Sequence, residues 1–207
     1  GDHLDLHSFP TRRSSDLRFQ VLSDLYRVSG DVKKVTLLRN ILFGESYKFI
    51  FWMRTCKFLQ GKKIFKYSLY PFALLFYNHY RYRYGIAISF ESDIGPGFYI
   101  GHFGGIVVYP LSQIGKNCNL SHGVTLGITQ RGKNKGYPRI GDNVYIGPGA
   151  KIIGSVKIGN HVAIGANCVV TQDVPDNAVV VGIPGKVISY EGSLGYVSNT
   201  DYDMKIR

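Results

Sequence analysis

Between Ile94 and Pro175 an aliphatic residue returns at almost every sixth position, often with glycine directly after it. The blocks read IGPGFY, IGHFGG, IVVYPL, IGKNCN and LSHGVT, then, after an interruption, IGDNVY, IGPGAK, IIGSVK, IGNHVA, IGANCV and VTQDVP. Self-similarity at a fixed short period points to a repeat architecture in which each unit buries its apolar edge against the next. An aliphatic residue and a glycine in every block suit a short strand, a turn and another short strand. Three such strands close a triangular coil of about eighteen residues, and stacked coils pair their strands at roughly 4.8 Å. The pattern predicts a mainly β fold, with a parallel β-helix over residues 85–190.

On the N-terminal side the pattern changes, and residues 18–84 read as helices. LSDLYRVSG closes at Gly30 and DVKKVTLLRNILFG at Gly44, since glycine commonly terminates helices. A third helix runs through SYKFIFWMRTCKFLQGKK with Ser46 as its cap. A fourth runs through IFKYSLYPFALLFYNHYRYRYG, bent or interrupted at Pro71. From Phe49 to Tyr84 thirteen of 36 residues are aromatic, interleaved with Lys and Arg. No apolar run there reaches the roughly 20 residues of a spanning helix, because Lys66 and Pro71 break the best stretch. Two roles fit such a region. It caps the open end of the β-helix, which would otherwise present unpaired strand edges, or it forms an interfacial surface with aromatics at headgroup depth and basic residues on anionic lipid. Capping is the expected primary role, and the two are compatible.

Composition sharpens this division. At 207 residues the chain has room for one domain, or for one domain with an appendage. Its formal charge of +11 is concentrated in residues 18–84, which hold thirteen Lys or Arg against three acids, whereas residues 85–207 hold ten against eight. No nucleic-acid-binding module accompanies that charge, so nucleic acid is not an expected partner. The three cysteines, Cys56, Cys118 and Cys168, have no CxxC spacing. Cys118 and Cys168 occupy the fifth place of a hexapeptide, where small residues point into a coil corner, and reduced thiols fit a cytoplasmic protein. The segment His7 to Leu17, HSFPTRRSSDL, resembles the translation of a sequencing-adapter oligonucleotide. Residues 1–17 are therefore expected to be non-native, with the true start lost, and are kept out of fold reasoning. Residues 191–207 read as a polar tail of no evident role.

Two of the six histidines fall at matching places in the repeat: His102 is third in IGHFGG and His122 third in LSHGVT. They are one coil apart once the two extra residues that follow Leu111 are allowed for. If Ser112 and Gln113 bulge at a corner, both imidazoles lie on one face with backbones about 5 Å apart. A neutral imidazole with a pKa near 6.5 suits proton transfer at physiological pH. After Ile128 the repeat is broken by the loop TQRGKNKGYPR, made basic by Arg131, Lys133, Lys135 and Arg139. Loops leaving a rigid scaffold often carry function.

These hexapeptides, with the GHFGGIVV, NLSHGVTLG and VVVGIPGKVI segments, resemble the left-handed β-helix acyltransferases. Within them the similarity is to serine acetyltransferases and the related O-acetyltransferases of surface-polysaccharide pathways. The resemblance implies a left-handed coil, an exception to the usual crossover rule. It also implies a homotrimer with active sites between subunits, and acetyl transfer from acetyl-CoA to a hydroxyl with no metal. By the same resemblance His102 is the general base and His122 a second polar residue of the site. Gly127, Ile128 and Thr129 match the turn that carries coenzyme contacts. Pro148 and Ala166 occupy small-residue places beside the pantetheine arm, and Lys186 is a candidate for the phosphates. Gly101, Tyr137 and Arg131 fall where acceptor contacts are expected.

The chain departs from the serine acetyltransferases at telling positions. Their histidine is oriented by one aspartate directly before it and another in the preceding coil; here those places hold Gly101 and Ala87, leaving Glu91 or Asp93 as candidate orienters. Their substrate-binding Arg-His pair is replaced by Gly136-Tyr137, next to Pro138. An amino-acid acceptor needs a carboxylate for its ammonium and a cation for its carboxylate. The expected acceptor is therefore the sugar hydroxyl of a surface glycan, with L-serine of cysteine biosynthesis as the alternative. Two other classes compete. A γ-type carbonic anhydrase needs three converging histidines, for which His102, His122 and His161 are available although His161 sits at a different hexapeptide place; the other class is a non-catalytic scaffold. The expected location is cytoplasmic, with peripheral contact at the inner face of the membrane through the N-terminal region.

Overall fold

The structure, a computed structural model, describes residues 16–65 and 67–206. The adapter-like stretch lies outside the described residues except for Asp16 and Leu17, which already belong to the first helix. The Asp16 carboxylate accepts the Arg18 N–H at 3.0 Å and so caps α1 (Leu17–Ser29), which ends on Gly30 in the left-handed conformation. Then follow α2 (Lys34–Phe43), α3 (Glu45–Gln60), a 3-10 turn at Lys63–Phe65 and α4 (Leu69–Arg83). Ser46 is not the cap of α3: Gly44 holds that position and no side chain closes it. Nor does Pro71 bend a helix, because it falls in the first turn of α4, where its missing N–H would have no intrahelical partner.

From Ile86 the chain coils. In order come β1 (Ile86–Ala87), β2 (Asp93–Ile94), β3 (Tyr99–Ile100), β4 (Ile106–Val108), β5 (Gln113–Ile114), β6 (Asn119–Leu120) and β7 (Thr125–Gly127). After the loop come β8 (Arg139–Ile140), β9 (Tyr145–Ile146), β10 (Lys151–Ile153), β11 (Lys157–Ile158), β12 (Ala163–Ile164), β13 (Val169–Val170), β14 (Val179–Val181) and β15 (Lys186–Ser189). They form three faces of a prism: β1-β4-β7-β10-β13, then β2-β5-β8-β11, then β3-β6-β9-β12-β14-β15. Every pairing is parallel except β14 with β15, a hairpin that closes the far end. The first and fifth hexapeptide places point inward, so Ile140, Val144, Ile146, Ala150, Ile152 and Val156 are all buried, as are Cys118 and Cys168. Each fully buried Ile or Val contributes about 1.5–3 kcal/mol of transfer free energy.

The helices cap the first coil through side-chain donors. A strand at the end of a stack leaves carbonyls without partners, and polar groups of α1, α3 and α4 reach them. Arg54 donates to Ile94 O and Gly95 O, both at 2.6 Å, Lys57 to Ser92 O at 2.7 Å, and the Tyr77 hydroxyl to Ile88 O at 2.6 Å. In the other direction the Phe98 N–H donates to Asp24 at 2.7 Å, and Asp24 is paired with Arg54 at 2.9 Å. The capping role expected of residues 18–84 is thus carried by specific hydrogen bonds.

The C-terminal segment is not the featureless tail that its composition suggests. It runs back along one corner of the prism from the fourth coil to the first. Ser193 N–H donates to His161 O at 3.0 Å and its hydroxyl to Asn143 O at 2.6 Å. Tyr196 stacks on Tyr145 with ring centroids 4.4 Å apart, and its carbonyl accepts from Asn119. The short helix α5 (Tyr202–Lys205) then packs on α1, where Tyr202 meets Phe19 edge-on. This segment straps the last coils to the first helix.

Candidate active site

Strand register fixes where the histidines stand. Ile100 pairs with Leu120, Leu120 with Ile146, Ile146 with Ile164 and Ile164 with Val180. Two residues beyond each lie His102, His122, Pro148, Ala166 and Gly182, stacked along the corner between the third and first faces. The rings of His102 and His122 are 6.2 Å apart, edge to face, and both residues are exposed. The expectation that they share one face, a coil apart, holds.

The reason for it differs from the expected one. Tyr99 pairs with Asn119 and Ala87 with Val107, while Val107 pairs with Thr125. The chain takes eight steps from Tyr99 to Val107 but six from Asn119 to Thr125. The two extra residues are therefore in the turn that bears His102, not at Ser112 and Gln113. They make Gly101–Gly105 bulge, with Gly104 and Gly105 at φ 113° and 63°. Among the described residues, no acceptor within the protein takes the N–H groups of His102, Phe103, Gly104 or Gly105, whereas Gly104 O accepts from Gly123 at 2.7 Å. The bulge thus presents a row of free backbone donors beside the imidazole.

The remaining candidates fall into two sets. Pro148 and Ala166 continue the histidine corner, and Lys186, beside Val181 in the closing hairpin, lies at its foot. Gly101 also lies here. A Cβ built on Gly101 would come no closer than 3.5 Å to the Tyr99 ring, so packing does not demand glycine there. Gly127, Ile128, Thr129, Arg131 and Tyr137 stand at or beyond the other edge of the first face, where Ile128, six residues on from His122, is at most about 20 Å from it. The loop folds as a small hairpin, with Thr129 and Gly136 exchanging two hydrogen bonds of 3.0 Å, and lies down over the later coils, where Asn134 donates to Thr171 O. Tyr137 stacks on Tyr109 at 5.8 Å. Beneath the hairpin a cleft of about 710 Å³ is bounded by Thr129, Arg131, Lys133, Ser155, Thr171 and Asp173. A Cβ on Gly127 would meet only the movable Cδ1 tip of Ile153 at 2.7 Å, so packing does not demand glycine there either.

Neither candidate orienter of His102 is placed to act. Glu91 accepts from Gln60 at the end of α3, and Asp93 opens the second face, away from the histidine corner. His161 belongs to a third corner, where Asn117, Asn143, His161 and Asn177 each adopt φ between 56° and 60°. It occupies a left-handed turn position and does not converge with His102 and His122. Among the described residues no cluster of three His, Cys, Asp or Glu side chains could hold a metal ion.

Sequence reasoning missed a second cleft, of about 560 Å³, on the helical side of the bulge. Glu45, Lys48, His79, Arg83 and Tyr84 bound it, and so does Phe103, the residue after His102, whose ring lies 4.6 Å from that of Tyr84.

A stack of short-strand coils bearing an exposed histidine on one corner is the scaffold of a hexapeptide-repeat transferase. Residues 137–172 match the bacterial transferase hexapeptide family (six repeats). Serine acetyltransferase of Staphylococcus epidermidis is 43% identical over 134 residues, which are 65% of this chain and 63% of that protein. The crystal structure of Neisseria gonorrhoeae serine acetyltransferase in complex with serine superposes with a TM-score of 0.66 at 31% identity, covering 82% of this chain and 68% of that one. Serine acetyltransferase from Brucella abortus in complex with coenzyme A gives a TM-score of 0.65 at 27% identity, covering 85% and 67%. The chain belongs to the serine acetyltransferase family of hexapeptide-repeat transferases, and its coils form the left-handed β-helix expected of that family. It matches less than two thirds of the length of the Staphylococcus relative.

Proposed function

We propose that this chain is an acetyl-CoA-dependent O-acetyltransferase in which His102 is the general base. The observation that carries the reading is the exposed His102 ring, set over His122 on a bulged turn with unbonded N–H groups. The acceptor hydroxyl gives its proton to His102 as its oxygen bonds to the thioester carbonyl carbon. The carbonyl oxygen takes up the displaced electron pair and is held by N–H groups of the bulge, an arrangement that typically contributes a few kcal/mol. The tetrahedral intermediate then collapses, the C–S bond breaks, and the departing thiolate recovers the proton from His102. His122 shields the lower side of the imidazole.

L-serine is the acceptor that relatives support, since those at 43–45% identity are serine acetyltransferases. This reverses the order expected from the coil residues, which favoured a sugar hydroxyl. The sugar of a surface glycan remains a second reading because Gly101, Ala87 and Gly136-Tyr137 carry no charge where an amino acid would need one. Thiol release from acetyl-CoA against L-serine and a panel of sugars separates the two. Loss of turnover in His102→Ala, with coenzyme binding kept, is the expected result, and unchanged turnover overturns the assignment.

A homotrimer accompanies this reading. The histidine corner with Pro148, Ala166 and Lys186, and the basic corner with Gly127, Ile128, Thr129, Arg131 and Tyr137, lie at opposite edges of one face. A neighbouring copy would bring one against the other, with Arg131 and Lys133 toward the coenzyme phosphates. We place the protein in the cytoplasm, with α2 against the inner leaflet of the membrane. No described helix is long and apolar enough to span a bilayer, but α2, whose Leu37 and Ile41 pack inward, keeps a second apolar surface outside. Thr36 and Asn40 are buried, whereas Val35, Leu38, Leu42 and Phe43 are 79%, 59%, 53% and 75% exposed beside Lys33, Lys34 and Arg39. Co-sedimentation with phosphatidylserine vesicles, abolished in Leu38→Glu, tests this placement.

A further inference from the structure

Among the described residues, the five strands of the first face hold a single charged side chain, Lys151. It opens β10, three residues on from Pro148, and so stands at the histidine edge of that face. Register stacks it in a column with Val107, Thr125 and Val169. Valine fills two of those places, so packing does not call for an ammonium there. Nor does an ion pair hold it, since the ion pairs among the described side chains are Asp24 with Arg54 and Lys116 with Asp142. Instead the half-buried side chain reaches one coil up, and its ammonium donates to Gly123 O and, at 3.1 Å, to the Thr125 hydroxyl.

Gly123 joins the two histidine turns. It follows His122 directly, and its N–H donates to Gly104 O at 2.7 Å in the bulge that bears His102. It stands at φ 70° with no side chain to pack, so hydrogen bonds at its two polar atoms fix the turn. No backbone N–H among the described residues reaches its carbonyl, and that bond falls to Lys151. A hydrogen bond from an ammonium is roughly twice as strong as a neutral one. The ammonium thus anchors the turn on which the bulge itself rests.

We propose that Lys151 is a positioning residue for acetyl transfer. Its ammonium pins Gly123, which carries His122 on one side and clamps Gly104 on the other, and so keeps His102 aligned with the free N–H groups of the bulge. The effect on turnover rests on the transferase reading, whereas the hold on the two histidine turns does not. Arg131 and Lys133 lie at the opposite edge of the face, so coenzyme binding there is independent of this anchor.

The test compares thiol release from acetyl-CoA by the full chain and three variants. Lys151→Met keeps most of the stem and removes the donor. Its kcat should fall about 10- to 100-fold, as for a lost hydrogen bond to a charged group, with KM for acetyl-CoA unchanged. Lys151→Arg, which keeps a donor toward Gly123 O, should recover part of kcat. Propylammonium added to Lys151→Ala should raise kcat in a saturable way, whereas tetramethylammonium, of the same charge but without an N–H, should not. Melts followed by circular dichroism should show all three variants folded. Independently of turnover, Lys151→Met should move the imidazole NMR signals of His102 and His122 and leave that of His79 on α4 in place. Unchanged kcat in Lys151→Met, a loss that neither arginine nor propylammonium recovers, or a loss that appears only in KM for acetyl-CoA each overturns the proposal. If wild type releases no thiol with any acceptor, the transferase reading fails, and the histidine signals alone decide whether Lys151 holds the two turns.

Discussion

Replacing Arg54 with methionine is the most severe single perturbation that the fold predicts. Arg54 is 1% exposed, and its guanidinium joins Asp24 on α1 to two carbonyls of the first coil. Methionine fills much of the volume but removes every donor. Breaking a buried ion pair from one side costs about 3–5 kcal/mol, because the surviving charge stays buried without its partner. Two orphaned carbonyls add about 1–3 kcal/mol each when nothing replaces the donor. These losses overlap, so about 5 kcal/mol is the working figure. At about 2–4 °C per kcal/mol for a chain of this size, the melting temperature should fall by about 10–20 °C. The pH dependence carries a second signature. Burial pushes the Asp24 carboxyl above its ordinary value, and Arg54 pulls it part of the way back. Without Arg54 the folded state holds the Asp24 proton more tightly than the unfolded state does. The variant's stability should therefore rise as pH falls toward the unfolded carboxylate value near 4. Thermal melts of wild type and variant at pH 7 and pH 5, followed by circular dichroism, measure both effects. A deficit below 1 kcal/mol, or one that grows toward acid pH, would refute the view that this pair locks the cap to the coils.

Three further expectations can be checked directly. Gly101→Asp should fold normally, since the backbone there accepts a Cβ, and its new carboxylate should raise the pKa of the adjacent imidazole, seen as an acid-limb shift in the pH–rate profile toward higher pH. Arg131→Ala combined with Lys133→Ala should raise KM for acetyl-CoA several-fold with little change in kcat, and the difference should shrink in high salt; an unchanged KM would remove the hairpin from coenzyme binding. Burial pushes the Cys56 and Cys118 thiols up to about 12, so iodoacetamide at pH 8 should label them only after unfolding. Because their folded values lie above the unfolded value near 8.5, the native state retains protons that the unfolded chain loses. Stability should therefore decline as pH rises past about 9, as chemical denaturation across that range would record.

The sequence made the coils legible because one inward aliphatic residue per short strand leaves a period that nothing else in the chain imitates. The same simplicity hid the bulge. Ile106 and Val108 both point inward, as alternate residues of a strand do, so the repeat can be phased through either residue. Counting through Ile106 pushes the two extra residues on to Ser112 and Gln113; the fold phases through Val108 and places them beside His102. The histidine corner was legible because register alone defines it. The second cleft was not, because Glu45, Arg83 and Phe103 meet only through the docking of α3 and α4 on the first coil. Pro71 was misjudged because its effect depends on where the helix starts, which the 3-10 turn at Lys63–Phe65 shifts. The C-terminal segment has no periodicity, and its order comes from partners as distant as Phe19 and Asn119.

That segment also governs how this chain can be made. A stack of coils whose neighbours touch only each other could assemble rung by rung as it leaves the ribosome. Here the outer surface of the first helix is covered only once Tyr202 and Ile206, which follow all of the coils in the chain, have folded back on it. A nascent chain stalled anywhere before Tyr202 therefore exposes Phe19 and Tyr26 to the cell's chaperones.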